Sequence, residues 1–239
     1  MTSFKGSDPS GGAPALEVGL PGAVAYFSTR LGGVSQGPYE SLNLGILTDD
    51  DQALVAENRR RWLARAGVQE VAFGHQVHGA DLVEWSGPAE QALVQADAHA
   101  TSQEGLGLLV LVADCLPVAL SGGDRIAMLH CGWRGLAEGI VEKALATFDT
   151  PPAAALGPCI GRCCYEVGPE VLDAFADLDG VADGRILDVR AVAEAKLRAG
   201  GVTTVEHVEV CTSCNPDLLF SHRRDDGVTG RQCGIVVRT

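Results

Sequence analysis

LGLLVLVADCLPVALSGGDRIAMLHCGWRGL, residues 106–136, is the stretch on which the fold turns. Residues 107–113 form an apolar run of the length of a strand buried on both faces. Asp114, Cys115, Leu116 and Pro117 interrupt it, and a second short strand continues to Leu120. Residues 124–129 read as a third strand. It ends in His130-Cys131-Gly132-Trp133-Arg134-Gly135, and a helix is expected from about residue 136 to 148.

Towards the N-terminus, Ala23–Ser28 reads as a first strand, followed by a long glycine-rich loop, STRLGGVSQGPYESLNLG (28–45). Loops of this length inside a domain are often functional. Residues 51–66 read as a helix. Asp49 and Asp50 can cap it, Leu54, Val55, Trp62 and Leu63 form its apolar stripe, and Gly67 can end it. Strands are expected on both sides of Gly79, near 71–77 and 80–85. Towards the C-terminus come a strand ending at Leu156, helices near 169–175 and 189–199, and strands at 205–210 and 234–237. Helices and strands interleave irregularly. That order predicts a mixed α/β (α+β) fold, a single domain of layered mixed β-sheets packed with helices over 23–239, rather than a repeated βαβ wheel. Residues 1–22 read as a disordered leader.

The chain of 239 residues is 46% apolar, enough for a sizeable core, and carries a formal net charge of -13. Such acidity speaks against nucleic acid as a partner, because a phosphate backbone is bound through bulk positive charge. An anionic substrate must then be held by a local cluster of arginines or backbone amides. The longest apolar run, 106–120, is interrupted and too short to cross a membrane, so no membrane partner is expected. The first residues lack the apolar core of a signal peptide. The expected location is the cytoplasm, where the eight cysteines stay reduced, packed in the core or bound to metal.

Three residues draw attention at the ends of predicted elements: His78, Cys115 and His130. Taken singly, each has an ordinary reading as a core thiol or a satisfied histidine. Together, two imidazoles and one thiolate make a three-ligand set with a fourth position left open, as catalytic zinc requires. Blue copper uses the same residue types, and Met128 shares the strand face of His130, so copper stays open. A metal-free Cys–His nucleophile pair also stays open. The turn from His130 into the next helix, with Arg134, suits an anion. Arg30 and Asn43 in the glycine-rich loop are further candidates for phosphate, since arginine grips phosphate in a fork. Asp114, beside Cys115, is a candidate proton carrier or an orienting group. Cys211-x-x-Cys214 reads as a redox pair or half of a metal site, and with Cys159, Cys163 and Cys164 as a structural zinc site, ranked below ordinary core packing. The donor-rich segment 221–231 reads as a substrate wall, an interface or plain surface.

These segments together resemble a known family. STRLGGVSQGPYESLNLG, QVHG around His78, ADA at 96–98, VADCLPV around Cys115, HCGWRG from His130, GPCIGRCCYEVG and SHRRDDGVTGR follow the order seen in the YfiH-type, laccase-domain-containing family of purine nucleoside phosphorylases. The resemblance implies a catalytic zinc held by His78, Cys115 and His130. It implies phosphorolysis of adenosine, inosine, guanosine and methylthioadenosine, and adenosine deamination, with purine nucleoside and inorganic phosphate as partners. The family was earlier labelled as multicopper polyphenol oxidases, and one member is tied to editing of a peptidoglycan precursor. A true multicopper oxidase needs many imidazoles, whereas this chain has six histidines, two of them already assigned. The chain departs from the family in having Cys131 where alanine is usual, and His222 where tyrosine is common. The extra thiol at Cys131 would compete for metal or raise sensitivity to oxidation.

Overall fold

A computed structural model describes residues 3–5, 13–89 and 94–239. Numbered in chain order, the first sheet runs β1 (Ser3–Lys5), β2 (Ala15–Leu20), β3 (Ala23–Ser28), β14 (Gln232–Arg238), β7 (Leu106–Val112), β4 (Glu70–Ala72). The second runs β13 (Val205–His207), β10 (Ala153–Leu156), β8 (Leu116–Gly122), β9 (Arg125–Cys131), β6 (Ala98–Thr101), β5 (Leu82–Glu84). β11 (Ala182–Asp183) and β12 (Ile186–Leu187) make a small ribbon. The helices are α1 (Gln52–Ala66), α2 (Trp133–Ala137), α3 (Ile140–Leu145), α4 (Pro169–Asp173) and α5 (Val189–Ala199). Most strand pairs are antiparallel, but β4–β7, β5–β6 and β10–β13 are parallel, so both sheets are mixed.

The apolar run in β7 is buried on both faces, as its unbroken pattern predicts. Leu108 and Val110 pack between the sheets with Phe27, Ile126, Met128 and Val236. Leu109 faces the other way, into a cluster with Ile235, Phe73 and Trp62 of α1. On the far side of the second sheet, Leu116, Val118 and Leu120 pack against Leu136, Ile140 and Val192 of the helices. The result is a helix–sheet–sheet–helix sandwich, a mixed α+β fold. The chain crosses from one sheet to the other between β7 and β8, and Asp114, at φ 93, lies in that crossing.

The structure departs from the sequence reading in several places. The leader expected through residue 22 is not structureless over 15–20: β2 alternates buried and open positions and pairs with β3 along its whole length. A Pro21-Gly22 turn, with Gly22 at φ 68, joins the two strands and supplies the hairpin signal. The rest of that expectation falls partly on residues 1, 2 and 6–12, which lie outside the described residues. The helix expected over 136–148 is two helices, because Gly139 adopts φ 85 and ends the first. β6 escapes the sequence reading because its four residues, AHAT, are too few to show a period. Among the described residues no helix is long and apolar enough to cross a membrane.

Candidate metal centre and its cleft

The crossing from sheet to sheet places Cys115 at the mouth of β8, beside His130 near the end of the antiparallel neighbour β9. His78 arrives on the loop after β4. The Gln76 side chain steers that loop, donating to the carbonyl of Leu111 at 2.7 Å and accepting from its N–H at 2.7 Å. The ligand atoms of His78, Cys115 and His130 all lie within 4.8 Å of one another. Gly132 closes the space: a Cβ there would stand 3.1 Å from His78 Cδ2 and 3.5 Å from Cys115 Sγ. A histidine–cysteine–histidine set of borderline softness, preserved by a missing side chain, fits a zinc-type ion.

Asp97, just before β6, holds the set together. Its buried carboxylate meets His130 Nδ1 at 2.6 Å. It also accepts from the backbone N–H groups of Val77 at 2.9 Å, His78 at 3.0 Å and Gly79 at 3.0 Å. Those bonds hold His78 in the left-handed region at φ 62, a conformation a histidine rarely adopts alone. With Nδ1 engaged, Nε2 of His130 is the nitrogen left for a metal. Burial alone would raise the Asp97 pKa, but His130 and the amides outweigh it and hold the carboxyl below its usual range. Burial likewise disfavours charge on Cys115 and His130. Their mutual attraction, joined by Asp97 on the His130 side, wins, taking the thiol down to about 6 and the imidazole up to about 9. The site thus stabilises a thiolate ready to serve as a ligand.

The centre lies in a cleft of about 560 Å³, a usual size for a small-molecule site. Phe73, Ile160, Tyr165 and Val189 give it apolar walls, and Arg134, Arg223 and Arg231 bring cations. His75 and His222 line the same cleft outside the ligand cluster. Tyr165 is kept protonated: burial, and then the nearby Cys115, push its pKa up to about 12.

The sequence candidates divide. Arg134 lines the cleft, its guanidinium lying 4.5 Å from the centre of the Trp133 ring. Arg30 does not reach it. Its Nε donates to the Glu40 carbonyl at 2.6 Å and its Nη1 to that of Pro216 at 2.8 Å, so it clamps two loops together. Asn43 is fully buried and also outside the lining. Its Oδ1 accepts from the N–H groups of Gly45 and Arg231, which places it behind the cleft wall as a loop organiser. Asp114 lines the cleft, and its carboxylate accepts from Thr212 Oγ1 and from the Arg223 N–H, so it joins the loops that carry them. Cys131 points away from His130 into the helix-side core and is fully buried, so its thiol does not compete for the ligand position. Read from sequence, Asp97 has no role beyond its place in the ADA segment and Tyr165 has none, whereas Arg223 and Arg231 fall in the donor-rich segment 221–231, for which a substrate wall is one of three readings. The available signal for Asp97 was a carboxylate between two alanines at the edge of an apolar segment, where it must find partners.

Known proteins resemble this chain along most of its length. Residues 24–239 match the family model described as multi-copper polyphenol oxidoreductase laccase. A relative named purine nucleoside phosphorylase YfiH, from Escherichia coli strain K12, is 37% identical over 229 residues, 90% of this chain and 93% of that protein. A purine nucleoside phosphorylase of Corynebacterium glutamicum is 40% identical over 229 residues, 88% of this chain and 92% of that protein. The crystal structure of YlmD from Geobacillus stearothermophilus matches with a TM-score of 0.88 at 32% identity, covering 100% of this chain and 99% of that one. Matched along nearly its whole length in sequence and in fold, the chain belongs to the YfiH-type, laccase-domain family.

Proposed function

We propose that this protein is a zinc-dependent purine nucleoside phosphorylase acting on adenosine, inosine and guanosine, and that 23–239, extended by β2, works as one catalytic domain. The observation that carries the reading is the juxtaposition of a histidine–cysteine–histidine centre with three arginines in one cleft of a chain whose net charge is -13. Relatives named purine nucleoside phosphorylase support the substrate class.

His78, Cys115 and His130 would hold the zinc, which when bound supplies a Lewis acid beside the substrate. Arg134, Arg223 and Arg231 would bind inorganic phosphate. In phosphorolysis a phosphate oxygen bonds to the ribose anomeric carbon as the glycosidic C–N bond breaks. The electron pair of that bond leaves with the purine, which takes up a proton. Positioning the anion against the sugar accounts for much of the rate such a cleft can supply. Tyr165, held protonated, can donate a hydrogen bond to the leaving base, and Phe73 and Ile160 offer apolar surface to the purine. Methylthioadenosine phosphorolysis and adenosine deamination are proposed for the same centre. The location proposed is the cytoplasm, where the eight free cysteines would stay reduced.

The test is hypoxanthine release from inosine by metal-loaded protein, with and without phosphate. Phosphate-dependent release is expected. Arg134→Met and Arg231→Met should each raise the KM for phosphate about tenfold or more, the worth of one charged hydrogen bond. Absence of phosphate-dependent release, or stoichiometric copper with turnover of phenols, would overturn the reading.

A further inference from the structure

Outside the cleft, the chain gathers four cysteines from two loops. Cys163 and Cys164 lie on the turn after β10, where the N–H groups of Cys164 and Tyr165 both reach back to the Gly161 carbonyl. Cys211 and Cys214 lie on a turn after β13, and the Asn215 side chain donates to the Cys211 carbonyl at 2.8 Å. An isolated parallel β-bridge between the backbones of Cys159 and Cys211, both free thiols, brings the loops side by side. Cys159 itself is not part of the group. It is buried, and its sulfur meets Arg190 Nη2 at 3.3 Å.

The four sulfurs of Cys163, Cys164, Cys211 and Cys214 lie within 4.8 Å of one another. Cys214 Sγ stands 3.4 Å from Cys163 Sγ and 3.3 Å from Cys164 Sγ. A disulfide needs about 2.05 Å. Four thiolates about 2.3 Å from one zinc would be about 3.8 Å apart, near the observed spread. The backbone is arranged for negative sulfur: the Gly161 N–H donates to Cys211 Sγ at 3.3 Å, and the Cys214 backbone N–H also bonds that sulfur. Gly161 is needed for the approach, because a Cβ there would sit 3.3 Å from both Cys163 Sγ and Cys211 Cβ. Two of the four thiols are exposed and two half-buried, so packing alone does not account for gathering them.

We infer that Cys163, Cys164, Cys211 and Cys214 form a second metal site, a closed tetrathiolate zinc site separate from the cleft. Four thiols give up one proton each as the ion binds, and no electron moves. With four protein ligands no position is left for substrate, so the role is structural. The site ties together two loops that shape the cleft. One carries Tyr165. The other carries Thr212, whose hydroxyl donates to Asp114 and whose carbonyl accepts from Arg224 Nη1. The inference does not depend on the phosphorylase reading.

Zinc content decides the matter. A His78→Ala/Cys115→Ser variant, deprived of the cleft ligands, should retain about one equivalent of zinc, released by a thiol-modifying reagent. Adding Cys211→Ser and Cys214→Ser should remove it. If those variants fail to fold, cobalt titration of the metal-free, reduced wild-type chain gives an independent reading. It should show the strong sulfur-to-cobalt charge-transfer bands of a tetrathiolate, beyond what the single thiolate of Cys115 supplies. A folded cleft variant with no bound zinc, a cobalt spectrum accounted for by one thiolate, or a mass showing a disulfide between Cys214 and Cys163 or Cys164 would each overturn the inference.

Discussion

A carboxylate with no access to water must be matched donor for donor, and Asp97 is matched by His130 and the amides of Val77, His78 and Gly79. It fixes the ring of one ligand and the backbone of another with a single side chain. Asp97→Asn keeps the shape but replaces one acceptor oxygen with a donor. Metal affinity of the cleft, measured by competition with a chromophoric chelator, should fall about 10- to 100-fold, the usual cost of losing a carboxylate partner to a ligating histidine. Unchanged affinity would show that the aspartate serves the fold alone. His78, Cys115 and His130 each have an ordinary reading when taken singly, and only the set of two imidazoles and one thiolate, joined by the family resemblance, singles them out in the sequence. Asp97 is not singled out, because its partners come from residues 18 to 33 positions away. Arg30 and Asn43 show the reverse, a local chemistry engaged elsewhere in this structure. Both have the right chemistry for phosphate, but loop carbonyls take the donors of Arg30, and Asn43 is spent within the loops.

Elements with a strong local pattern came through well. The helix α1 is capped by Asp51, accepting from the Ala53 N–H, rather than by the expected Asp49 or Asp50, yet with left-handed Gly67 its bounds fall within a residue of the expected span. β3 and α5 match their expected limits. What failed lacked local support: β6 is too short, and β2, which pairs with β1 and β3, follows polar and small residues that hide its alternation. The glycine-rich loop depends on α1 in a way no pattern shows. Asn58 of α1 is fully buried, accepts from the Val34 N–H at 2.8 Å, and donates to Ser35 Oγ and to the carbonyls of Ser41 and Asn43. Asn58→Ala strands those loop groups in the interior. The expected loss is about 3 kcal/mol in urea unfolding, since each buried group left unpaired costs about 1–3 kcal/mol. A loss under about 0.5 kcal/mol would mean the loop is held by other contacts.

For the whole molecule, pH acts on the balance between folded and unfolded chains, and His99 gives that balance a definite sign. Its ring is fully buried in β6, and Trp85 Nε1 lies 3.2 Å from its Nδ1, an N–H aimed at a nitrogen that would have to carry a proton in the charged ring. Burial, assisted by the neighbouring His130 and opposed by Asp97, lowers its pKa from 6.5 to about 4. Above pH 6.5 the ring is neutral in both states and the full stability is present. As pH falls from 6.5 to about 4, the unfolded chain takes up a proton that the folded chain refuses, so stability falls. Below about 4 both states carry it and the loss levels off. The full difference amounts to roughly 3 kcal/mol, from about 1.36 kcal/mol for each pKa unit. A His99→Gln variant should therefore show a shallower decline than the parent over this window. Chemical unfolding of both proteins at equal metal loading, at pH 7, 5.5 and 4.5, cancels the contributions they share. Parallel curves would show that His99 protonates as readily in the fold as out of it.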